Sequence, residues 1–455
     1  MLDDTIIAVS TPLGFGGLGI VRLSGRRSLQ IAKKIFKSKK KGQKIPPNRP
    51  VLGHLFDFAS KECFEEAYLT FFPKPHTYTR ENMVEISCHG SPVILEEVVR
   101  LGTKAGARHA TPGEFTLRAY LHGRIDILQA EAVNDIITAT SLKQAKISYR
   151  QLEGSLSKSA TSLRQDIIRL LSLIEASIEF PDEGLPISAN MIANTLRRAE
   201  KTVTELISSY DLGKTLSEGL FLMITGRANV GKSTLFNALL QKDRAIVTPF
   251  PGTTRDYLQE TIKIRDALFT LTDMAGIETA AHPIEKEGIK RGKKLAAAGD
   301  GILLVLDASR KESSEDLKLL KKFQNKRIII LFNKSDLPGK MNLEKMKGLQ
   351  KNIPSLAISA LKGTNLNKLK EMIFTHFVPT PKESKEVILH LRQKLLFTDI
   401  LTCLNKAKCL LTDGYSEEIY VEEIRKIIPL IGQLTGEIRD EDIMASIFSR
   451  FCVGK

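Results

Sequence analysis

One stretch constrains the fold more than any other: "EGLFLMITGRANVGKSTLFNALL", residues 218–240. An apolar run suited to a buried strand meets a glycine-bounded loop, and a segment with helical apolar spacing follows. Within it Gly226, Gly231, Lys232 and Ser233 satisfy G-x-x-x-x-G-K-[ST], a pattern that carries chemistry only between a strand and a helix. There the loop N–H groups and the helix N-terminus point at phosphates, where anions are stabilised. Lys232 would reach the β and γ phosphates, and Ser233 would give Mg²⁺ a hydroxyl.

The remaining elements of a nucleotide site follow in order. "LFTLTDMAGIE" reads as an alternating strand ending in Asp273-x-x-Gly276. Asp273 would hold Mg²⁺ through water, and Gly276 would let the backbone meet the γ-phosphate. "RIIILFNKSD" is a second strand that delivers Asn333, Lys334 and Asp336 at its carboxyl end. Asp336 can accept from guanine N1–H and the 2-amino group, which adenine does not offer in that form; a site built on such bonds rejects analogues lacking them. Ser359 and Ala360, in "SLAISALKGTNLNKL", bring backbone toward guanine O6. Strands alternating with helices imply a parallel sheet with its ligand at the carboxyl ends, here GTP.

Hydrolysis needs positive charge between the phosphates. Ras-like proteins orient water with a Gln after the glycine; here that residue is Ile277, and no arginine finger is identifiable. Such a finger is worth about 10³–10⁵ in rate. Asn229, inside the loop, offers an amide oxygen to a monovalent cation, although as a turn former it need hold no ion. "TPFPGTTRD", residues 248–256, reads as a switch that lays carbonyls over that ion, with Thr254 a second Mg²⁺ ligand.

The chain has 455 residues, enough for about three domains. No apolar run approaches the roughly 18 residues of a membrane span, and "MLDDTIIAVS" lacks a basic segment before an apolar one, so no secretory signal is expected. Cysteines 63, 88, 403, 409 and 452 are odd in number and form no CxxC, which argues for a reducing, cytoplasmic setting. The terminal "FCVGK" fails as a prenylation box because its last residue is Lys. A net charge of +15 favours a polyanionic partner, nucleic acid first. The run "KKIFKSKKKGQK" is either an RNA-facing patch or a solvated helix end and loop.

Beyond the loop, "DTIIAVSTPLGFGGLGIVRLSG", "YTRENMVEISCHGSPVILEEVV", "ATPGEFTLRAYLHGRIDILQAEAV", "EFPDE" and "CVGK" resemble the MnmE (TrmE) family of tRNA-modification GTPases, in order from Asp4 to Lys455. The resemblance implies a multidomain α/β and α+β chain. A P-loop GTPase domain (218–380) is inserted in an all-α helical domain (121–217 and 381–455), after an α+β folate-binding and dimerisation domain (1–120). It implies a homodimer that joins an FAD- and NADH-dependent partner of the MnmG (GidA) family in a heterotetramer. Together they would place an aminomethyl-type group, such as carboxymethylaminomethyl, at C5 of wobble uridine in tRNA. The one-carbon unit comes from a tetrahydrofolate derivative, the 5,10-methylene or 5-formyl form.

Carried over residue by residue, GTP contacts fall on Asn229, Val230, Gly231, Lys232, Ser233 and Thr234, then on Thr248, Pro249, Phe250, Pro251, Gly252, Thr253 and Thr254. They continue through Asp273, Met274, Ala275 and Gly276 to Asn333, Lys334, Asp336, Ser359 and Ala360. K⁺ falls on Asn229, Thr248, Phe250 and Thr253, and Mg²⁺ on Ser233 and Thr254. Glu285 matches the water-orienting glutamate. Folate contacts fall on Arg22, Glu85, Arg124 and Lys455; a pterin edge wants a carboxylate and a glutamate tail wants cations. The family more often has Lys at Arg124, and Gly and Asp where "YTREN" has Arg80 and Asn82. The returning helices, "YVEEIRKIIPLIGQLTG" and "DIMASIFSRF", would anchor the tail so that Cys452 and Lys455 face the folate pocket, with Cys452 a candidate nucleophile. Two rivals share parts of this pattern: a ribosome-assembly or translation-associated GTPase, and a nucleotide-gated tRNA scaffold without folate chemistry.

Overall fold

The computed structural model describes residues 4–40, 42–180, 188–243, 259–273, 299–323, 326–342, 353–379, 386–438 and 441–454. They fall into two compact units, one drawn from 1–137, 148–196 and 402–455, the other from 138–147 and 197–401.

The first unit opens with β1 (Ile6–Val9), β2 (Gly16–Ser24), α1 (Ser28–Ile35), β3 (Phe36–Ser38), β4 (Pro50–Phe56), β5 (Cys63–Phe72), β6 (Met83–Gly90), α2 (Pro92–Lys104), β7 (Arg108–His109) and α3 (Glu114–Leu121). The strands make one sheet, β3-β4-β5-β6-β2-β1-β7, antiparallel except between β1 and β7. Val21, Leu23, Val84 and Ile86 join Ile31, Ile35, Leu95 and Val98 of α1 and α2 in one core. Because side chains alternate across a strand, Arg22 and Glu85 point to the opposite face, and the register sets them directly across from each other. A slip of one residue would exchange them with the core. The lysine run resolves into the end of α1, the short edge strand β3 and the chain after it.

Next come α4 (Ile127–Ile137), α5 (Leu142–Leu152), α6 (Ser155–Glu179) and α7 (Ala189–Ser217). α7 continues through Gly213 to Ser217. Burial explains it: Leu212 and Leu216 pack in the core of the second unit and reward helical backbone there.

The second unit holds β8 (Leu220–Thr225), α8 (Lys232–Asp243), β9 (Gln259–Ile264), β10 (Ala267–Asp273), β11 (Gly301–Asp307), α9 (Ser314–Phe323), β12 (Ile328–Asn333), β13 (Ser355–Ala357) and α10 (Leu366–Phe377). Its sheet is ordered β13-β12-β11-β8-β10-β9, parallel except for the β9–β10 hairpin. Leu303, Val305, Ile329 and Leu331 feed one core, while Ile302, Leu304, Ile328 and Ile330 feed another. Two buried faces require a continuous apolar strand rather than an alternating one.

The chain then forms α11 (Leu391–Thr412), α12 (Glu417–Arg425), α13 (Ile427–Thr435) and α14 (Glu441–Phe448). α12 and α13 pack on α6 in the first unit. The stretch read as one amphipathic helix, 420–436, is split at Lys426. Pro429, in the first turn of α13, lacks an N–H, and its ring would clash with the carbonyl of residue 425 in an unbroken helix.

A buried ion cluster fastens the N-terminus to the loop after β5. Arg118, 1% exposed, donates to Asp4 Oδ1 at 2.6 Å, Glu114 Oε1 at 2.9 Å and Glu81 Oε2 at 3.1 Å. Arg108 adds bonds of 2.6 Å to both Asp4 and Glu114. Burial pushes the Asp4 and Glu114 carboxyls up, but the arginine donors outweigh it and hold both below the ordinary range. Folded values below unfolded ones mean that this stability is present above the unfolded pKa, about 4, and is lost as pH falls through the depressed values. Arg118→Met strands buried carboxylates, and about 3–5 kcal/mol should be lost at pH 7. Urea denaturation followed by circular dichroism should show that loss, and a flatter decline below about pH 4 than in the parent chain.

Candidate functional site

The buried run of β8 ends at Thr225, and residues 226–231 turn the chain into α8, whose first residue is Lys232. Gly231 has φ +98°, and a Cβ there would lie 2.3 Å from Asn333 Nδ2, so no side chain fits. Asn229 adopts φ +62°, a left-handed conformation that asparagine tolerates better than most residues. Lys232 is buried, and its ammonium donates to the carbonyls of Gly226 at 3.0 Å and Arg227 at 2.7 Å. Ser233 and Thr234 are exposed in the first turn of α8, where unpaired N–H groups and the helix dipole favour anions.

β12 supplies the brace. Asn333, 3% exposed, donates from Nδ2 to Val230 O at 2.8 Å and accepts at Oδ1 from Ala360 N at 2.9 Å. One side chain thereby fixes both the phosphate loop and the turn after β13. Lys334 Nζ donates to Asn229 O at 2.8 Å and Asp307 Oδ2 at 2.6 Å. Burial pushes Asp307 up, yet the donors Lys334 and Ser309 hold its carboxyl below the usual value. The buried Ser359 hydroxyl, then the residue's own N–H, do the same for Asp336, keeping it an anionic acceptor.

Asp307 was missed by sequence reasoning, although it ends the all-apolar "GILLVLD" at the same sheet edge. Asp273 ends β10 beside Ile224 of β8, and its side chain lies outside the description. Thr248, Pro249, Phe250, Pro251, Gly252, Thr253, Thr254, Met274, Ala275, Gly276, Glu285 and Lys455 also lie outside the described residues.

In the first unit a cavity of about 530 Å³ is lined by Arg22, Glu85 and Arg124 together with Phe72, Pro75, His76, Thr77, Tyr78, Arg80 and Met83. Arg22 Nε and Nη2 both donate to Glu85 Oε1, at 3.0 and 2.8 Å. Arg124 lies 4.7 Å from the Tyr78 ring centroid and donates to Tyr78 O at 2.8 Å. Burial raises the Tyr78 phenol. Three residues far apart in sequence therefore share one wall, and Tyr78, His76 and Arg80 were not singled out as contacts beforehand. Asn82 keeps the loop closed: its Oδ1 accepts from Lys74 N at 3.0 Å.

The tail docks within the same unit. Phe451 is buried, its ring 5.6 Å from that of Phe448. Gly454 O accepts from Ser10 Oγ at 3.3 Å. At φ +95°, a Cβ on Gly454 would lie 2.1 Å from Val9 O, so only glycine can pass here. Cys452 is exposed and is not among the described residues lining the cavity.

Asp336→Asn turns one acceptor into a donor. With a charge-assisted acceptor lost, GTP affinity should fall about 100-fold. Xanthosine triphosphate, with a carbonyl at C2, should gain in competition binding; unchanged selectivity would remove Asp336 from the base site.

Residues 5–124 match the family described as the GTP-binding protein TrmE N-terminus, and residues 127–452 match the MnmE helical domain. Proteins named tRNA modification GTPase MnmE are similar over their whole length. That of Aquifex aeolicus (strain VF5) is 39% identical over 456 residues, covering 100% of both chains. That of Thermotoga maritima is 39% identical, covering 99% of this chain and 100% of its own. That of Alkaliphilus oremlandii is 35% identical over 100% of both. Among solved structures, a point variant of Aquifex aeolicus Era bound to GDP and aluminium fluoride is 27% identical (TM-score 0.28; 40% of this chain, 66% of that one). The G domain of the T. maritima FeoB iron transporter is 26% identical (TM-score 0.27; 34% and 98%). The chain belongs to the MnmE (TrmE) family of tRNA modification GTPases.

Proposed function

We propose that this GTP hydrolase of tRNA modification is activated by K⁺. It acts as a homodimer with an FAD-containing partner of the MnmG family to build an aminomethyl-type group at C5 of wobble uridine, in the cytoplasm. The carbon comes from a tetrahydrofolate derivative held at Arg22, Glu85 and Arg124. In domain terms, 1–120 binds folate and dimerises, 218–380 hydrolyses GTP, and 121–217 with 381–455 form the helical domain.

The observation that carries this reading is the coexistence of two unlike sites in separate units: a phosphate loop braced to the turn after β13, and a cationic cavity built on the Arg22–Glu85 pair. The residues suit their ligands. Ser233 presents a hydroxyl at a helix N-terminus, where Mg²⁺ beside phosphate would take it together with Thr254, which lies outside the described residues. Lys334 occupies the carbonyl of Asn229 and so leaves its exposed side-chain oxygen as the cation ligand. Both Arg22 donors use Glu85 Oε1, which leaves Oε2 to accept from a pterin N–H. Asn229, with Thr248, Phe250 and Thr253, would hold K⁺, which would supply the charge that an arginine side chain supplies elsewhere. Lys232 neutralises phosphate from its own loop, and Glu285 orients the attacking water.

One observation favours a second reading of the tail. Cys452 is not among the described residues lining the cavity, whereas Phe451 and Gly454 are anchored, which favours a tail that positions its surroundings over one whose thiol attacks carbon. Nucleoside analysis of tRNA from a strain lacking the protein tests the whole proposal: the C5 modification should vanish. Replacing K⁺ by Na⁺ should lower GTP turnover at least about tenfold, and equal rates in both salts would remove the K⁺ mechanism. Deleting residues 452–455 should stop modification while sparing hydrolysis. If Cys452→Ser still modifies tRNA, the tail has a positioning role; if it does not, the thiol takes part.

A further inference from the structure

The cavity of the first unit carries more positive charge than its carboxylate can balance. Arg22 is matched by Glu85; Arg80 and Arg124 line the same space, and neither meets a carboxylate among the described residues. Each instead donates one N–H to a backbone carbonyl. Arg80 reaches from its loop to His122 O at 2.8 Å, and Arg124 reaches back to Tyr78 O at 2.8 Å. These reciprocal bonds hold two guanidinium groups on the cavity wall, and each group has five N–H donors in all.

The backbone at Arg80 sharpens the point. Its φ is +61°, a left-handed conformation in which glycine, and next asparagine, carry the least strain. Strain of this kind persists where the surroundings impose it and gathers at ligand sites. The strap to His122 O uses Nη1, and the guanidinium adds a cation at the cavity.

The geometry points to a two-guanidinium clamp, Arg80 with Arg124, that takes the two carboxylates of a dianionic ligand tail such as the glutamate of a folate. This rests on the folate reading of the Arg22–Glu85 cavity and adds Arg80 as a binding residue. Planar guanidinium forks suit carboxylates better than ammonium groups do.

The test uses the full chain, titrated calorimetrically with 5-formyltetrahydrofolate and with the same molecule bearing a neutral methylamide in place of its glutamate. The unmodified chain should bind the tailed ligand about 100-fold more tightly. Arg80→Gly, which relieves the backbone and should fold, is expected to lose about tenfold on the tailed ligand and less than twofold on the methylamide. Arg124→Lys should fall between the two proteins on the tailed ligand. Equal losses on both ligands would make Arg80 a strap and overturn the clamp. Equal affinities of the unmodified chain for both ligands would overturn the clamp and leave the folate reading standing. Failure to bind either ligand would overturn both. Weaker tRNA binding by Arg80→Gly, with tailed-ligand affinity unchanged, would assign the cations to nucleic acid and also overturn the clamp.

Discussion

The nucleotide site depends on one buried amide. Asn333 satisfies the carbonyl of Val230 and the N–H of Ala360 at once, in surroundings where either group unpaired would cost about 1–3 kcal/mol. The consequence is geometric as well as energetic. The phosphate loop comes from β8 and the base-side turn follows β13, with β11 and β12 lying between those strands in the sheet. A ligand that touches phosphate and base needs those two loops at a fixed spacing, and a single planar side chain sets it. Gly231 belongs to the same constraint, since its missing Cβ is the space that Asn333 occupies.

An analogous fixture underlies the cavity of the first unit. Glu81 sits in the loop that carries Tyr78 and Arg80, and its carboxylate is held by Arg118 and by Ser24 Oγ at 2.6 Å. Arg118 in turn binds Asp4, at the start of β1, and Glu114, at the start of α3. A buried ion cluster of this kind contributes little net stability against an apolar replacement. Its directional bonds nevertheless define where the loop stands, and so where the lining residues stand. The two units share this logic: charge or amide hydrogen bonds placed under a loop fix the groups that the loop presents.

Much of this was legible in local pattern. The phosphate loop, the strands ending in Asp273 and Asn333, the amphipathic α2 and the strands β1 and β6 all announce themselves by apolar spacing and by glycine placement. Less legible were the features that burial decides. α7 runs through Gly213 because Leu212 and Leu216 are wanted in a core, and the helical stretch around Pro429 is two helices because one residue lacks an N–H. Lys334, read as a nucleotide contact, also braces the loop through its bonds to Asn229 O and Asp307. No periodicity encodes that, since the partners lie 105 and 27 positions away.

The sequence by itself determined the chemistry: a loop able to cradle phosphate, an acceptor able to read guanine, and full-length family motifs naming Arg22, Glu85 and Arg124. Those choices are local, written in residue type and short spacing. Only the tertiary structure decided which of them meet. The register of β2 on β6 puts Arg22 across from Glu85, 63 residues away, and the docked tail brings Gly454 to Ser10, 444 residues away. The exposed Cys452 is not among the described residues that line the cavity. Contacts of that separation follow from which faces are buried and how strands align, a global minimum that no short segment contains.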